Sequence, residues 1–191
     1  MFNADIHVKP TVPRAYTEYQ LSVDYGTLNP FSAGLWGKYE GLWYRVKEYY
    51  HSGRDTRNQL TDDEYYVELE KLAGDLPIKR IIIDPSAASF ITLIHRKGLF
   101  PVTEARNSVL SGIQDTATAL QRGIILFNDC CEASINEFGL YSWDEKADCD
   151  RPIKENDHAM DEIRYFVYTN QLVVPQRKSA LPLKTNWGAL H

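Results

Sequence analysis

YQLSVDYGTLNPFSAGLWGKYEGLWYRVKEYYHSG, residues 19–53, decides the fold. At its start Tyr19, Leu21, Val23 and Tyr25 alternate with Gln20, Ser22 and Asp24, the two-residue period of a strand with unlike faces. Gly26, Asn29 and Pro30 punctuate a turn, and FSAGLWGKYEG and LWYRVKEYYHSG read as two further strands with Gly41 at the hairpin between them. The stretch therefore predicts three antiparallel strands in sequence order.

Downstream the period changes. Thr61 followed by Asp62, Asp63 and Glu64 is an N-cap with acids in the first turn, and the helix it opens ends at Gly74. IKRIIID (78–84) is a β-branched run suited to a buried strand, with a Pro-Ser-Ala-Ala helix start at 85–88 and a stop at Gly98. FPVTEA (100–105) reads as a strand, 108–122 as a helix closed by Gly123, IILF (124–127) as a strand, 129–138 as a helix and 140–146 as a last strand or extended edge. A final helix begins at Asp157, with Met160, Ile163 and Val167 on its apolar stripe. The order predicts an α/β fold: a mixed sheet, antiparallel first and then parallel, flanked by helices on both faces. Residues 1–18, with Pro10 and Pro13, read as a lead-in segment, 19–170 as the domain, and 171–191 as a basic tail with Arg177, Lys178, Lys184 and no acids.

Upstream and downstream composition agree with one compact domain of 191 residues, 43% apolar and 25% charged. No run of about 18 apolar residues is present, which excludes a spanning helix, and MFNADIHVKP is not a signal peptide. Cys130, Cys131 and Cys149 form no CxxC pair, so a structural zinc is not expected and a reducing cytoplasm is the simplest compartment. The net charge of −5 is no nucleic-acid sponge, yet only the placement of basic residues bears on DNA. Residues 144–161 hold seven acids and three bases. No P-loop and no GxGxxG occurs, so nucleotide binding has no support.

Three places put acids where chemistry rather than folding could want them. Asp24 ends a strand, Asp84 follows three isoleucines at the end of an interior strand, and Asp157, His158 and Asp161 open the last helix on one side. Each has a plain alternative: a turn-forming side chain at Asp24, a helix cap at Asp84, an N-cap at Asp157, a first-turn surface histidine at His158. If the segments converge, two carboxylates about 4 Å apart repel by roughly 4 kcal/mol at an effective dielectric near 20. A divalent cation removes that penalty, and hard oxygens with one imidazole suit Mg²⁺ or Mn²⁺. Two such ions would serve phosphodiester cleavage by activating water and stabilising the leaving oxygen.

VDYGTLNPF (23–31), EYYHSGRDTRNQLTDDEY (48–65), IIIDPSAASFI (81–91) and KENDHAMDEIRY (154–165) resemble the nuclease domain of phage large terminase subunits, in order and spacing, from about residue 19 to 170. The resemblance implies a ribonuclease H-like fold. It also implies a metal-dependent endonuclease that cuts concatemeric double-stranded DNA at initiation and termination of head filling, in the host cytoplasm at the procapsid. Carried over, Asp24 would bridge two ions, Asp84 would hold one, and His158 with Asp161 would complete the other; Asp157 either stands behind these metal ligands or caps the helix. Partners implied are DNA, the terminase small subunit and the portal, with an ATPase motor that this chain lacks. The candidates for DNA contact are Lys47, Arg54, Arg57, Lys79, Arg80 and Arg106, scattered rather than in one run. Two other readings stand beside this one. The HxxD pair of His158 and Asp161 is similar to that of Holliday-junction resolvases, and the basic tail suits a non-catalytic portal-docking module.

Overall fold

A computed structural model describes residues 2–140 and 157–173; the expected strand at 140–146, apart from Leu140, which ends a helix, and most of the acidic stretch and basic tail lie outside them. The opening stretch forms β2 (Glu18–Asp24), β3 (Phe31–Tyr39) and β4 (Leu42–His51), paired antiparallel in sequence order. Glu40 and Gly41, with φ of 51° and 83°, make the two-residue hairpin between Tyr39 and Leu42. Left-handed backbone at both positions matches the twist of the flanking strands, which is why glycine occupies the second.

The β3–β4 register shifts between Leu35 and Trp36, leaving Val46 as an extra residue in β4. Side chains alternate strictly along a strand, so one inserted residue reverses the parity beyond it. As a result Trp43 and Arg45 before the bulge, and Glu48 and Tyr50 after it, all serve the same face.

The remaining strands are β1 (Val8–Lys9), β5 (Ile78–Ile83), β6 (Val102–Glu104) and β7 (Ile125–Asn128). The sheet runs β1-β7-β4-β3-β2-β5-β6, with β5, β6, β7 and β1 joining in parallel. Helices α3 (Asp62–Ala73) and α4 (Ala88–Lys97) pack Tyr65, Leu69, Phe90 and Ile94 against Leu21, Val23, Ala33 and Ile83 on one face. On the other, α5 (Val109–Gln121), α6 (Glu132–Leu140) and α7 (His158–Thr169) cover Trp36, Ile82 and Phe127. Trp36 stacks on Phe166 of α7 at 4.1 Å between ring centroids. The expected mixed sheet with helices on both faces is what the chain forms.

Thr61 caps α3 in a full capping box with Glu64. The first residues are more ordered than a lead-in suggests: α1 (Ala4–His7) is followed by β1, where Val8 and Lys9 pair with Phe127 and Asn128. Proline spacing hid this, because a two-residue edge strand has no period to read. A short α2 (Gly53–Thr56) follows β4 and was also unannounced. Helix α4 begins at Ala88, because the Asp84 carboxylate accepts the Ser86 N–H at 2.8 Å and holds 84–86 in a turn.

Candidate active site

Parallel pairing of β2 with β5 sets Val23 beside Ile83, so Asp24 and the following Asp84 emerge together at neighbouring strand ends. Parity puts Asp24 on the face of Ser22, the face that α7 covers. Along α7 the residues Asp157, Asp161 and Tyr165 succeed one another at four-residue spacing. A cleft of about 780 Å³ results, lined by Asp24, Asp157, His158 and Asp161 together with Tyr50 and Arg54. Asp84 stands beside this group but does not line the cleft.

His158 Nδ1 lies 2.9 Å from Asp24 Oδ2, and its Nε2 lies 4.0 Å from Asp157 Oδ1. Burial opposes the imidazolium, but the hydrogen bond and charge of Asp24 outweigh it and push the His158 pKa up. Asp24 is pushed up as well, first by burial and then by the charges of Asp161 and Asp157, with the His158 bond working the other way. Asp84 behaves oppositely. Burial acts against its charge, yet donors from Ser86, Asn107 and Tyr165 prevail and hold it below the usual carboxylate range. The Asn107 amide is 3.1 Å from Asp84 Oδ2. Asp161 Oδ1 receives Arg164 Nε at 3.1 Å and Nη2 at 2.9 Å. Burial, then the nearby Asp24 and Asp161, drives the Tyr165 phenol well above its ordinary value, so it stays a hydrogen-bond donor.

Beneath these residues α7 is fixed to the sheet by buried charge. Arg45 and Glu162, both fully buried, form an ion pair; Ser22 also donates to Glu162, and Trp36 Nε1 donates to Ser22 Oγ at 2.7 Å. Burial works against the Arg45 guanidinium, but the Glu162 and Glu48 carboxylates reverse this and keep it cationic. Gly34 leaves the room: a Cβ there would meet Arg45 Cζ at 2.6 Å and Glu162 Oε1 at 2.7 Å.

The donor set suits a hard divalent cation. A buried carboxylate pushed toward neutrality by two neighbouring acids is the situation that such a charge relieves. Among the described residues, however, no three acids, histidines or cysteines already stand at ligand spacing. The reason is visible in the bonds above: Asp161 is turned to Arg164, Asp84 to Asn107 and the Ser86 amide, and Asp24 to His158.

Of the residues expected to meet DNA, the structure brings Arg54 to the cleft, with Arg57 three residues on. Lys47 is exposed on β4. Lys79 and Arg80 sit at the start of β5, with Arg80 roughly 13 Å along the strand from Asp84. They are bonded there, Lys79 to Glu18 at 2.9 Å and Arg80 to Asn170 at 2.7 Å. Arg106 lies over the Tyr168 ring at 4.3 Å. Tyr165, Arg164, Asn107 and Glu137 escaped the sequence reading. Tyr165 carried a usable signal, four residues beyond Asp161; Asn107 sits in a connection with no period to place it.

No protein-family model and no curated protein matches the chain. Solved structures do. Over 88% of its length the chain is 52% identical to the large terminase of a thermophilic bacteriophage, solved in complex with ADP, at a TM-score of 0.86, covering 43% of that protein. The P22 large terminase nuclease domain matches at a TM-score of 0.72 and 18% identity, over 88% of this chain and 90% of that one. The nuclease domain of the SPP1 large terminase, solved with bound Mn, matches at 0.59 and 16%, over 86% and 95%. The chain thus spans less than half of the large terminase that it matches at 52% identity, and its fold is that of terminase nuclease domains, ribonuclease H-like.

Proposed function

We infer that this chain, whose structural relatives are phage large terminases, is the portion that cuts DNA: a metal-dependent endonuclease acting on concatemeric double-stranded DNA when head filling starts and ends. The observation that carries the reading is the convergence of Asp24, Asp157, His158 and Asp161 from two distant segments on one cleft. The Mn bound in the SPP1 nuclease domain supports a divalent cofactor, two ions of Mg²⁺ or Mn²⁺ held by Asp24, Asp84, Asp161 and His158. When bound, such ions supply the charge that ionises water and stabilises the leaving oxygen.

The chain's own residues prepare the site. His158 holds a proton against Asp24 and so offsets the burial that would neutralise that carboxylate. Arg164 neutralises Asp161, which would turn from it to meet an ion, and Asn107 with the Ser86 amide keeps Asp84 ionised. Arg54 and Arg57 offer phosphate contacts that read no sequence. The small subunit, the portal and an ATP-driven motor elsewhere in the whole protein are the partners this reading requires, at the procapsid in the host cytoplasm.

Plasmid nicking with Mn²⁺ tests it. Asp24→Ala and Asp161→Ala are expected to abolish cutting, and parent-like rates in both would remove the site. The same assay on four-way junctions separates the resolvase reading, which the His158–Asp161 pair favours: preference for junctions over linear duplex would support it. Portal binding with no metal response at all would leave only the docking reading.

A further inference from the structure

Helix α7 carries two site residues, yet it does not cap itself. Asp157 occupies the N-cap position with φ −121° and ψ 2°, away from the extended geometry a capping side chain needs, and it makes no cap hydrogen bond. The first-turn amides are satisfied from another helix. Glu137 of α6, 5% exposed, accepts the Ala159 N–H at 2.7 Å and the Met160 N–H at 3.3 Å on Oε2. Its Oε1 accepts the Tyr50 hydroxyl at 2.8 Å, and Tyr50 lines the same cleft.

Helix α6 is seated the same way. Glu48 of β4 accepts the Ala133 N–H at 2.6 Å, the Ser134 N–H at 3.3 Å and the Ser134 hydroxyl at 2.5 Å. Glu48 is in turn held by Arg45 Nε at 3.2 Å. Two successive glutamates therefore refer the start of α7 to β4. His158, the first residue of α7, precedes the two amides that Glu137 holds.

We propose that Glu137 is a positioning residue of the site: by capping α7 from α6 and bonding Tyr50, its carboxylate fixes His158 against Asp24. It touches no reacting atom; its charge also acts on His158, but the role assigned to it rests on where its oxygens stand. This rests on the nuclease reading for its catalytic consequence, though not for the geometry itself.

Two conservative variants of the chain separate position from charge. Glu137→Gln keeps the length and an acceptor oxygen, while Glu137→Asp keeps the charge and withdraws it by one methylene. The readouts are the His158 imidazole ¹⁵N signals in metal-free protein, assigned by their loss in His158→Gln, and Mn²⁺-dependent nicking. Glu137→Gln, which removes a charge that acts on His158, is expected to move the His158 signals less than Glu137→Asp does and to keep nicking within about threefold of the parent. Glu137→Asp is expected to move the signals and slow nicking roughly tenfold to a hundredfold, as misplacement by an ångström does. Equal behaviour of the two variants, or the reverse order, overturns the proposal. If the parent cuts nothing, the nuclease reading fails, and the His158 signals still decide the role of Glu137.

Discussion

Replacing Gly34 by alanine puts one methyl group into the buried ion pair that holds α7. The new Cβ would overlap Arg45 Nη1 and stand 2.6 Å from Arg45 Cζ and 2.7 Å from Glu162 Oε1. Neither partner is the loose end of an exposed chain, since both side chains are 0% exposed. Separating a buried pair costs about 3–5 kcal/mol. Alanine returns roughly 0.5–1 kcal/mol relative to glycine within a strand. The net loss of about 3 kcal/mol corresponds to a fall in Tm of roughly 6–12 °C for a domain of this size. Thermal unfolding followed by circular dichroism measures it. The same substitution made on Arg45→Met/Glu162→Leu, where no charges remain to be pushed apart, is expected to cost less than about 1 kcal/mol, because an apolar replacement of a buried pair is often neutral. A Tm for Gly34→Ala within about 2 °C of the parent would refute the reasoning. So would an equal loss in both backgrounds, which would place the collision in the backbone.

Asp24→Asn is expected to end nicking and to raise Tm at pH 8. The folded pKa of Asp24 lies above its ordinary 3.8, so its contribution to stability is present below that value and is lost as pH rises through the folded pKa; an unchanged or lower Tm at pH 8 would contradict this. His158 is raised too, so the stability it lends is full below about pH 6.5 and declines as pH rises through its higher folded value. His158→Gln should flatten that decline in a pH series of melting temperatures. Arg54→Ala is expected to reduce the salt dependence of DNA binding by a slope of about one, while Lys79→Ala, paired to Glu18 at the other end of the strands from Asp24, leaves it unchanged. Equal slopes for the two variants would move the DNA path away from the cleft.

The sheet was largely legible because its signals are local. Alternation from Tyr19 to Tyr25, the turn at Gly41, the three isoleucines before Asp84 and the acids after Thr61 each act within a few residues, and each formed what its spacing predicts. Asp24, Asp157, His158 and Asp161 could be named because acids at strand ends and a helix start stand out, and the cleft gathers them. What stayed hidden depends on partners far apart in sequence. Arg45 owes its buried place to the bulge at Val46 and to the carboxylate of Glu162, far along the chain, and neither shows in its own neighbourhood. Nothing near Glu137 in sequence foretells the amides of Ala159 and Met160 that it accepts. Lys79 and Arg80 were placed by charge alone, and the strand carried them to the end away from the acids.

Helix α3 brings its own capping box, whereas α6 and α7 borrow theirs from Glu48 and Glu137. A self-capped helix satisfies its own first amides wherever it lies, but a helix whose first amides wait for a distant carboxylate gains them only on docking. Glu48 can serve α6 only where β4 is in place, and Glu137 can serve α7 only where α6 is docked, while Arg45 ties α7 to the sheet directly. The first turn of α7, and His158 with it, therefore answers to the docking of α6, while the rest of α7 stays tied to the sheet through Glu162.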